Sequence, residues 1–597
     1  MSSLALPLTL VAALACSAPA GQASPSTAAR DAAHASAASD ALAARVDSVA
    51  DSYVADLLTT FPEFATSRGI PGARHDRLTD NSLAAYERWQ RREDRWLAEL
   101  RAIDPTPLQG RPAWATYAIL RERLEGSVEH RVCHTELWNL NTAQGWQAGY
   151  AVLARLQPVG SDSLRAQALT RARALPRHIA TEESNLRKGV HRGYTAPKVV
   201  VEGVIRQLDA LLATAPDASP FASPAQRDST PAFRQAMVGI VAEQIDPALR
   251  RFRDYLSAEY LPAARSAIGV SANPDGAACY RASVRQFSTL DLPPDSVFER
   301  GMRKLAEIED EMRTVAERNF GTSDLPALLT RLRDDPEFTF RTREEIVDSS
   351  RAAIERARAA IPKWFGILPK AHVVIEQHPE FRQRAGAVAQ YNPPAQDGSR
   401  PGIFYITTIH PEHQSRALLE STAFHEAIPG HHLQITIAQE RAGSNPVARY
   451  IFNSGFTEGW ALYAEGLADE MGLYGSELGR LGMLSSAEFR AARLVLDSGI
   501  HTRGWTRDQA IEFLTRHSAE PPLQVRGEID RYISWPGQAT SYMLGNLEIR
   551  ALRNEAKQRL GSRFDIRAFH DQVLGGGALP LPRLREKIER WLNQPAT

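Results

Sequence analysis

The segment Ser421-Thr-Ala-Phe-His-Glu-Ala-Ile-Pro-Gly-His-His-Leu-Gln434 places His425, Glu426, His431 and His432 close together in a 597-residue chain. A zinc-binding helix of the pattern His-Glu-x-x-His sets two imidazoles at i and i+4 on one face, each ~2.0–2.1 Å from a shared ion. The glutamate beside the first histidine then faces the water to be activated, as general base. Here position i+4 is Pro429, so that spacing fails as written. On an unbroken helix His431 lies about 120° round from His425. His432 returns to within about 20°, but ~10.5 Å further along the axis. Pro429 removes a backbone donor and Gly430 tolerates unusual dihedrals, so a local bulge is expected here. Looping out two residues brings His431 back to the geometry of i+4. This reading makes His425 and His431 ligands, Glu426 the base, and His432 a neighbour or substrate contact. The competing reading is a kinked helix with surface histidines.

Catalytic zinc keeps three protein ligands and one open position. The next helical segment, Ser454-Gly-Phe-Thr-Glu-Gly-Trp-Ala-Leu-Tyr-Ala-Glu465, offers Glu458 near its start. Glu465 and Asp469 follow on the same face at i+7 and i+11, where acids can orient ligand imidazoles. A merely solvated acidic face is the alternative.

Outward from this region the chain is mainly helical. An amphipathic series begins with Ala43, Val46, Val49 and Val54, and 82–103 continues it through Leu83, Tyr86, Trp89, Trp96 and Leu100. The Pro/Ser/Ala-rich stretch 214–232 is expected to be a surface loop. After Asp291-Leu-Pro-Pro-Asp295 a helix is expected, capped by Asp295 or Ser296, and another spans 344–364. Residues 371–376 and 402–408 switch to short strands between turn residues. Helices then fill 414–435, 456–472, 484–500, 507–516 and 536–558.

Lys+Arg and Asp+Glu both number 70, so the net charge is zero and overall charge gives no ground for nucleic-acid or polybasic membrane binding. The three cysteines, Cys16, Cys133 and Cys279, form no Cys-x-x-Cys pair, which excludes thiolate zinc ribbons and thioredoxin-like redox motifs. The apolar run Leu4–Ala15 would rise only ~18 Å as a helix, too short to span a bilayer. It is expected to be the core of a signal peptide within residues 1–20, although no Lys or Arg precedes it. Ala13-Leu14-Ala15-Cys16 approximates a lipobox, so membrane association would run only through a lipid anchor at Cys16. Residues 21–40 are expected to form a flexible tether, 41–280 an N-terminal helical part, and 281–597 the catalytic part of one continuous body. In an oxidising compartment Cys133 and Cys279 either pair or remain buried thiols.

His-Glu-(x)4-His-His followed by Gly-Phe-Thr-Glu-Gly-Trp-Ala-x-Tyr-x-Glu resembles a large bacterial family of unknown function with a zincin-like peptidase core. More distantly it is similar to the helical gluzincin peptidases: angiotensin-converting enzyme, thimet oligopeptidase and neurolysin, and the thermostable carboxypeptidases. The resemblance implies a mainly α, gluzincin-like metallopeptidase body with a small β-sheet before the metal-binding helix. It supports Glu458 as ligand, and the expanded histidine pair leaves open whether His431 or His432 is the second one. It also suggests that Tyr532, in the pair Arg531-Tyr532, donates to the oxyanion, with Tyr542 as rival, although each reads equally as a buried aromatic with a satisfied hydroxyl. His501, four residues after Asp497, reads first as a packed structural histidine and second as a further donor oriented by that acid. By analogy, strand 402–408 would be an edge strand that pairs with substrate. The implied activity is hydrolysis of short peptides by a protein holding one Zn²⁺, exported to the periplasm or envelope. The rival readings are a zinc amidase or esterase on a non-peptide substrate, and a non-catalytic binding lipoprotein.

Overall fold

The computed structural model describes residues 27–594, apart from 379, 381–382, 384–388, 396–397, 399 and 442–444. The expected signal segment, Cys16 and the start of the tether lie outside the described residues. Helix α1 runs Thr27–Thr60, so residues 27–40 are helical rather than a tether. Their alanine-rich composition favours helix, and the end of the segment is docked: Ser39 Oγ donates to Pro107 O at 2.7 Å and Arg111 pairs with Asp40.

Most of the chain is helix. The expected helix near 82–103 spans Leu83–Arg101, with the Ser82 side chain accepting from the Ala85 N–H. Helix α2 (Pro112–His130) packs beside it, and helix α3 spans Pro294–Phe320. The N-cap of α3 is Pro293, not Asp295 or Ser296; Pro294 opens the first turn and Asp295 lies within it. Proline there presets φ for the helix, and its missing N–H leaves nothing unsatisfied. The stretch 214–232 is not a plain surface loop. It holds a 3₁₀ turn at Pro220–Ala222 and a short helix at Ser223–Gln226, with Phe221, Ala222 and Ala225 buried. These three apolar residues are too few to show a period, so composition hid their role.

The period change near 371 marks a three-stranded sheet of β1 (Val373–Gln377), β2 (Gln390–Asn392) and β3 (Gly402–Ile406). Its order is β1-β3-β2, parallel between β1 and β3 and antiparallel between β2 and β3. Strand β3 is therefore central, which corrects its expected place at an edge. Both sides of its backbone are occupied, so it has no free ladder to offer a substrate.

The helices that build the site and its surroundings include α4 (Arg416–Glu426), α5 (His431–Glu440), α6 (Ser454–Glu470), α7 (Glu477–Thr502), α8 (Arg507–Arg516), α9 (Pro522–Ser534) and α10 (Ser541–Leu560). Two buried cores mix residues from both halves of the sequence. One joins Cys133, Val201 and Tyr280 to α7 and α9; the other joins Val46, Trp96 and Leu120 to Phe424, Trp460 and Ile549. Helices α4 and α6 straddle the seam, giving Ala417 and Leu462 to the first core and Phe424 and Trp460 to the second. Cys133 and Cys279 form a disulfide within the first core.

Candidate metal centre

Helices α4 and α5 do not form one rod. The chain breaks at Ala427–Gly430, with a cis Ile428–Pro429 bond. At Gly430 it folds back so tightly that a Cβ there would sit 1.9 Å from the His425 carbonyl oxygen. Only glycine fits. Trp460 on α6 fastens the break, its Nε1–H donating to Pro429 O at 3.0 Å. The fold-back brings the rings of His425 and His431 to 4.8 Å between centroids, at 85° to each other.

Glu458 completes a triangle. Its Oε2 lies 3.5 Å from His425 Nε2 and 3.4 Å from His431 Nε2. One donor atom from each of the three residues falls within 4.8 Å of the others. Ligands held ~2.0–2.1 Å from a tetrahedral ion are themselves ~3.3–3.4 Å apart, so this His₂Glu set fits a zinc ion. Helix α6 presents Glu458 because Asn453 caps it, accepting from the Phe456 N–H at 2.7 Å. Its Phe456, Trp460, Tyr463 and Leu467 are fully buried, each worth about 1.5–3 kcal/mol of transfer free energy. Burial works against charge on Glu458, yet the two imidazoles hold its carboxyl well below the usual range.

Glu465, two turns along α6, is 1% exposed. It accepts from His425 Nδ1–H at 2.7 Å, from Ser486 Oγ at 2.6 Å and from Ser421 Oγ. The bond to Nδ1 turns Nε2 toward His431 and Glu458 and raises the basicity of the ring. Burial disfavours the charged imidazole, but Glu458 and Glu465 outweigh it and lift the His425 pKa to about 9. Glu426 is half-buried on α4, with no hydrogen bond or ion pair among the described residues.

His432 points elsewhere. Its Nδ1 meets the Tyr391 hydroxyl at 2.9 Å and its Nε2 donates to Ala371 O at 3.0 Å, tying α5 to the sheet. Burial pushes its pKa down to about 4. Both nitrogens are engaged, and it is His431, not His432, that meets His425 and Glu458.

Asp469 lies beyond the centre and pairs with Arg480 at 3.2 Å. One further helical turn carries it past the rings of His425 and His431. Tyr532 is fully buried, its hydroxyl donating to Glu528 at 2.7 Å and accepting from Arg493 Nε at 2.9 Å. Arg531 is spent on Glu528 and Gln538. His501 is buried too, accepting from the Val270 N–H and donating to Tyr532 O, both at 3.0 Å. Asp497 does not orient it but accepts from the Gly537 N–H at 3.0 Å. Tyr532, Arg531 and His501 are therefore fixed in the packing rather than turned to the triangle.

Tyr542 is turned to it. Its ring lies nearly parallel to that of His425 with centroids 6.4 Å apart, Arg493 sits 4.3 Å from its centroid, and Gln538 hydrogen-bonds its hydroxyl. Burial, with the negative charge of Glu458 close by, raises its pKa. Close contact of α6 and α10 puts it there: a Cβ on Gly459 would lie 2.5 Å from Gly545 Cα. Sequence reasoning missed Ser421, Ser486 and Arg493. Ser421 shares a helix face with His425 at i−4, which was a usable signal. Ser486 and Arg493 arrive on α7 with no local pattern to mark them.

Fold and site together define a mainly helical protein with a small mixed sheet and a buried His₂Glu constellation. The chain belongs to the bacterial family of unknown function DUF885, whose pattern matches residues 62–588. It is similar to a protein from Colwellia psychrerythraea called a "putative lipoprotein", at 26% identity and TM-score 0.85, covering 93% of this chain and 99% of that one. It shares its fold with a "putative lipoprotein of unknown function" from Shewanella oneidensis, at 18% identity and TM-score 0.72, covering 90% and 98%. No curated protein is significantly similar to it. Among the described residues no helix is long and apolar enough to cross a membrane.

Proposed function

We propose that this protein is an exported, zinc-dependent metallopeptidase acting on short peptides. The observation that carries the reading is the meeting of His425, His431 and Glu458 beside a free Glu426 carboxylate. His425, His431 and Glu458 would hold the ion, which when bound supplies Lewis acidity at that point. Glu426 takes a proton from the attacking water and passes it to the leaving amine. The Tyr542 hydroxyl donates to the carbonyl oxygen as it gains charge. Glu465 keeps the His425 ring in the tautomer and orientation that ligation requires. Export is supported by the apolar run Leu4–Ala15, by the disulfide and by the names of the two structural relatives.

Glu426→Gln is the test. Turnover of a peptide library should fall by ~10²–10⁴ while zinc content and circular dichroism stay unchanged. Unaltered turnover in the variant refutes the assignment. Zinc-dependent activity confined to small amides or esters would move the substrate class, and an inert wild-type protein would leave a binding role.

A further inference from the structure

Across α7 from the His₂Glu triangle, three more donors meet. Glu309 comes from α3, Glu488 from α7, and His517 from the residue that ends α8. His517 Nδ1 lies 3.0 Å from Glu309 Oε1 and 3.2 Å from Glu488 Oε1, and the three donor atoms fall within 4.8 Å of one another. Phe513 packs on the imidazole at 4.4 Å between ring centroids and fixes its direction.

Hydrogen bonding alone leaves this cluster unbalanced. A ring nitrogen carries at most one hydrogen, so Nδ1–H can satisfy one carboxylate oxygen and not both. Glu488 is 1% exposed, and its Oε2 has no hydrogen-bond partner among the described residues. A buried carboxylate oxygen without a partner bears a full desolvation cost. Glu309 is better served, since Arg313 Nη2 donates to its Oε2 at 2.9 Å.

We infer that Glu309, Glu488 and His517 form a second divalent-metal site, separate from the His₂Glu centre. The ion would take the Nδ1 lone pair and an oxygen of each carboxylate, and its charge would offset that of the buried Glu488. The spacings of 3.0 and 3.2 Å sit within a few tenths of an ångström of the ~3.3–3.4 Å expected between ligands of a tetrahedral zinc ion. One imidazole with two carboxylates suits zinc or manganese rather than calcium or copper(I). Such an ion would clamp α3, α7 and the end of α8 together. It would thereby hold the helix whose other face supplies Ser486 to Glu465 and Arg493 to Tyr542.

The test is metal content of the purified full chain after loading with zinc and desalting, read by elemental mass spectrometry. Wild type should carry one more zinc per chain than His517→Ala. Glu488→Gln, which keeps the side-chain volume, replaces that variant should His517→Ala fail to fold. Equal zinc content in the folded variant and wild type overturns the site and leaves an ion pair between imidazole and carboxylates. His431→Ala reports the other centre independently, so failure of either assignment is visible without the other.

Discussion

Replacing Glu465 by glutamine removes one negative charge from a pocket otherwise left with the same shape. The carboxylate accepts three hydrogen bonds, from His425 Nδ1, Ser486 Oγ and Ser421 Oγ. In the variant the amide oxygen still accepts from Nδ1–H. The amide nitrogen faces the two serine hydroxyls, which can rotate to accept instead of donate. No polar group is stranded, so the fold should persist. What is lost is the charge on the bond to the ligand imidazole. Charge-assisted hydrogen bonds exceed neutral ones by roughly 1–1.5 kcal/mol, which corresponds to a zinc affinity lowered about tenfold. The measurement is a competition titration against a chromophoric chelator at pH 7.5, with circular dichroism as the control for folding. An affinity within twofold of wild type in a folded variant would show that Glu465 does not support ligation, and the orientation argument would fail.

Tyr542→Phe should lower kcat by ~10²–10³ with KM and zinc content little changed. Tyr532→Phe should instead cost about 1–3 kcal/mol in chemical denaturation, because Glu528 and Arg493 lose a buried partner. His431→Ala should abolish stoichiometric zinc at the primary centre, whereas His432→Ala should retain it and lose about 2–4 kcal/mol of stability through a cavity and two broken hydrogen bonds. If zinc content falls in the second variant and not the first, the two roles are reversed. Buried His501 and His570 have pKa values pushed down to about 3. Their contribution is fully present above the unfolded value near 6.5 and is lost as pH falls toward 3. Between pH 7 and pH 5 each should cost about 2 kcal/mol, measurable by urea denaturation at the two pH values as a fall in midpoint that is smaller in His501→Asn.

Helical content was legible because apolar residues recur at the helical period over long segments, and the sheet because that period broke at 371 and 402. The strand order was not legible. Residues 390–392 are too short to show alternation, so nothing local opposed the edge position that analogy gave β3. The helix Pro522–Ser534 also escaped notice, its apolar residues being few and divided by charges that turn out to pair among themselves, as Arg531 does with Glu528.

For the metal centre, local sequence carried the donor types and one decisive break. Pro429 and Gly430 disfavour a regular helix, so a bulge that brings His431 back toward His425 was the favoured reading over a simple kink. Spacing on α6 likewise nominated Glu458 and Glu465. Everything that depends on which way a side chain turns was decided in three dimensions. His432 is adjacent to His431 in sequence, yet Tyr391 and Ala371 draw its ring to the sheet. Asp469 shares a face with Glu458 and still ends on Arg480. Tyr532 was the first choice on paper and Tyr542 its rival, yet the packing that brings Gly459 onto Gly545 sets Tyr542 beside His425 while Glu528 and Arg493 enclose Tyr532. Backbone period and ligand chemistry are local properties of the chain. The competition among buried partners for each polar group is not, and only the packed structure resolves it.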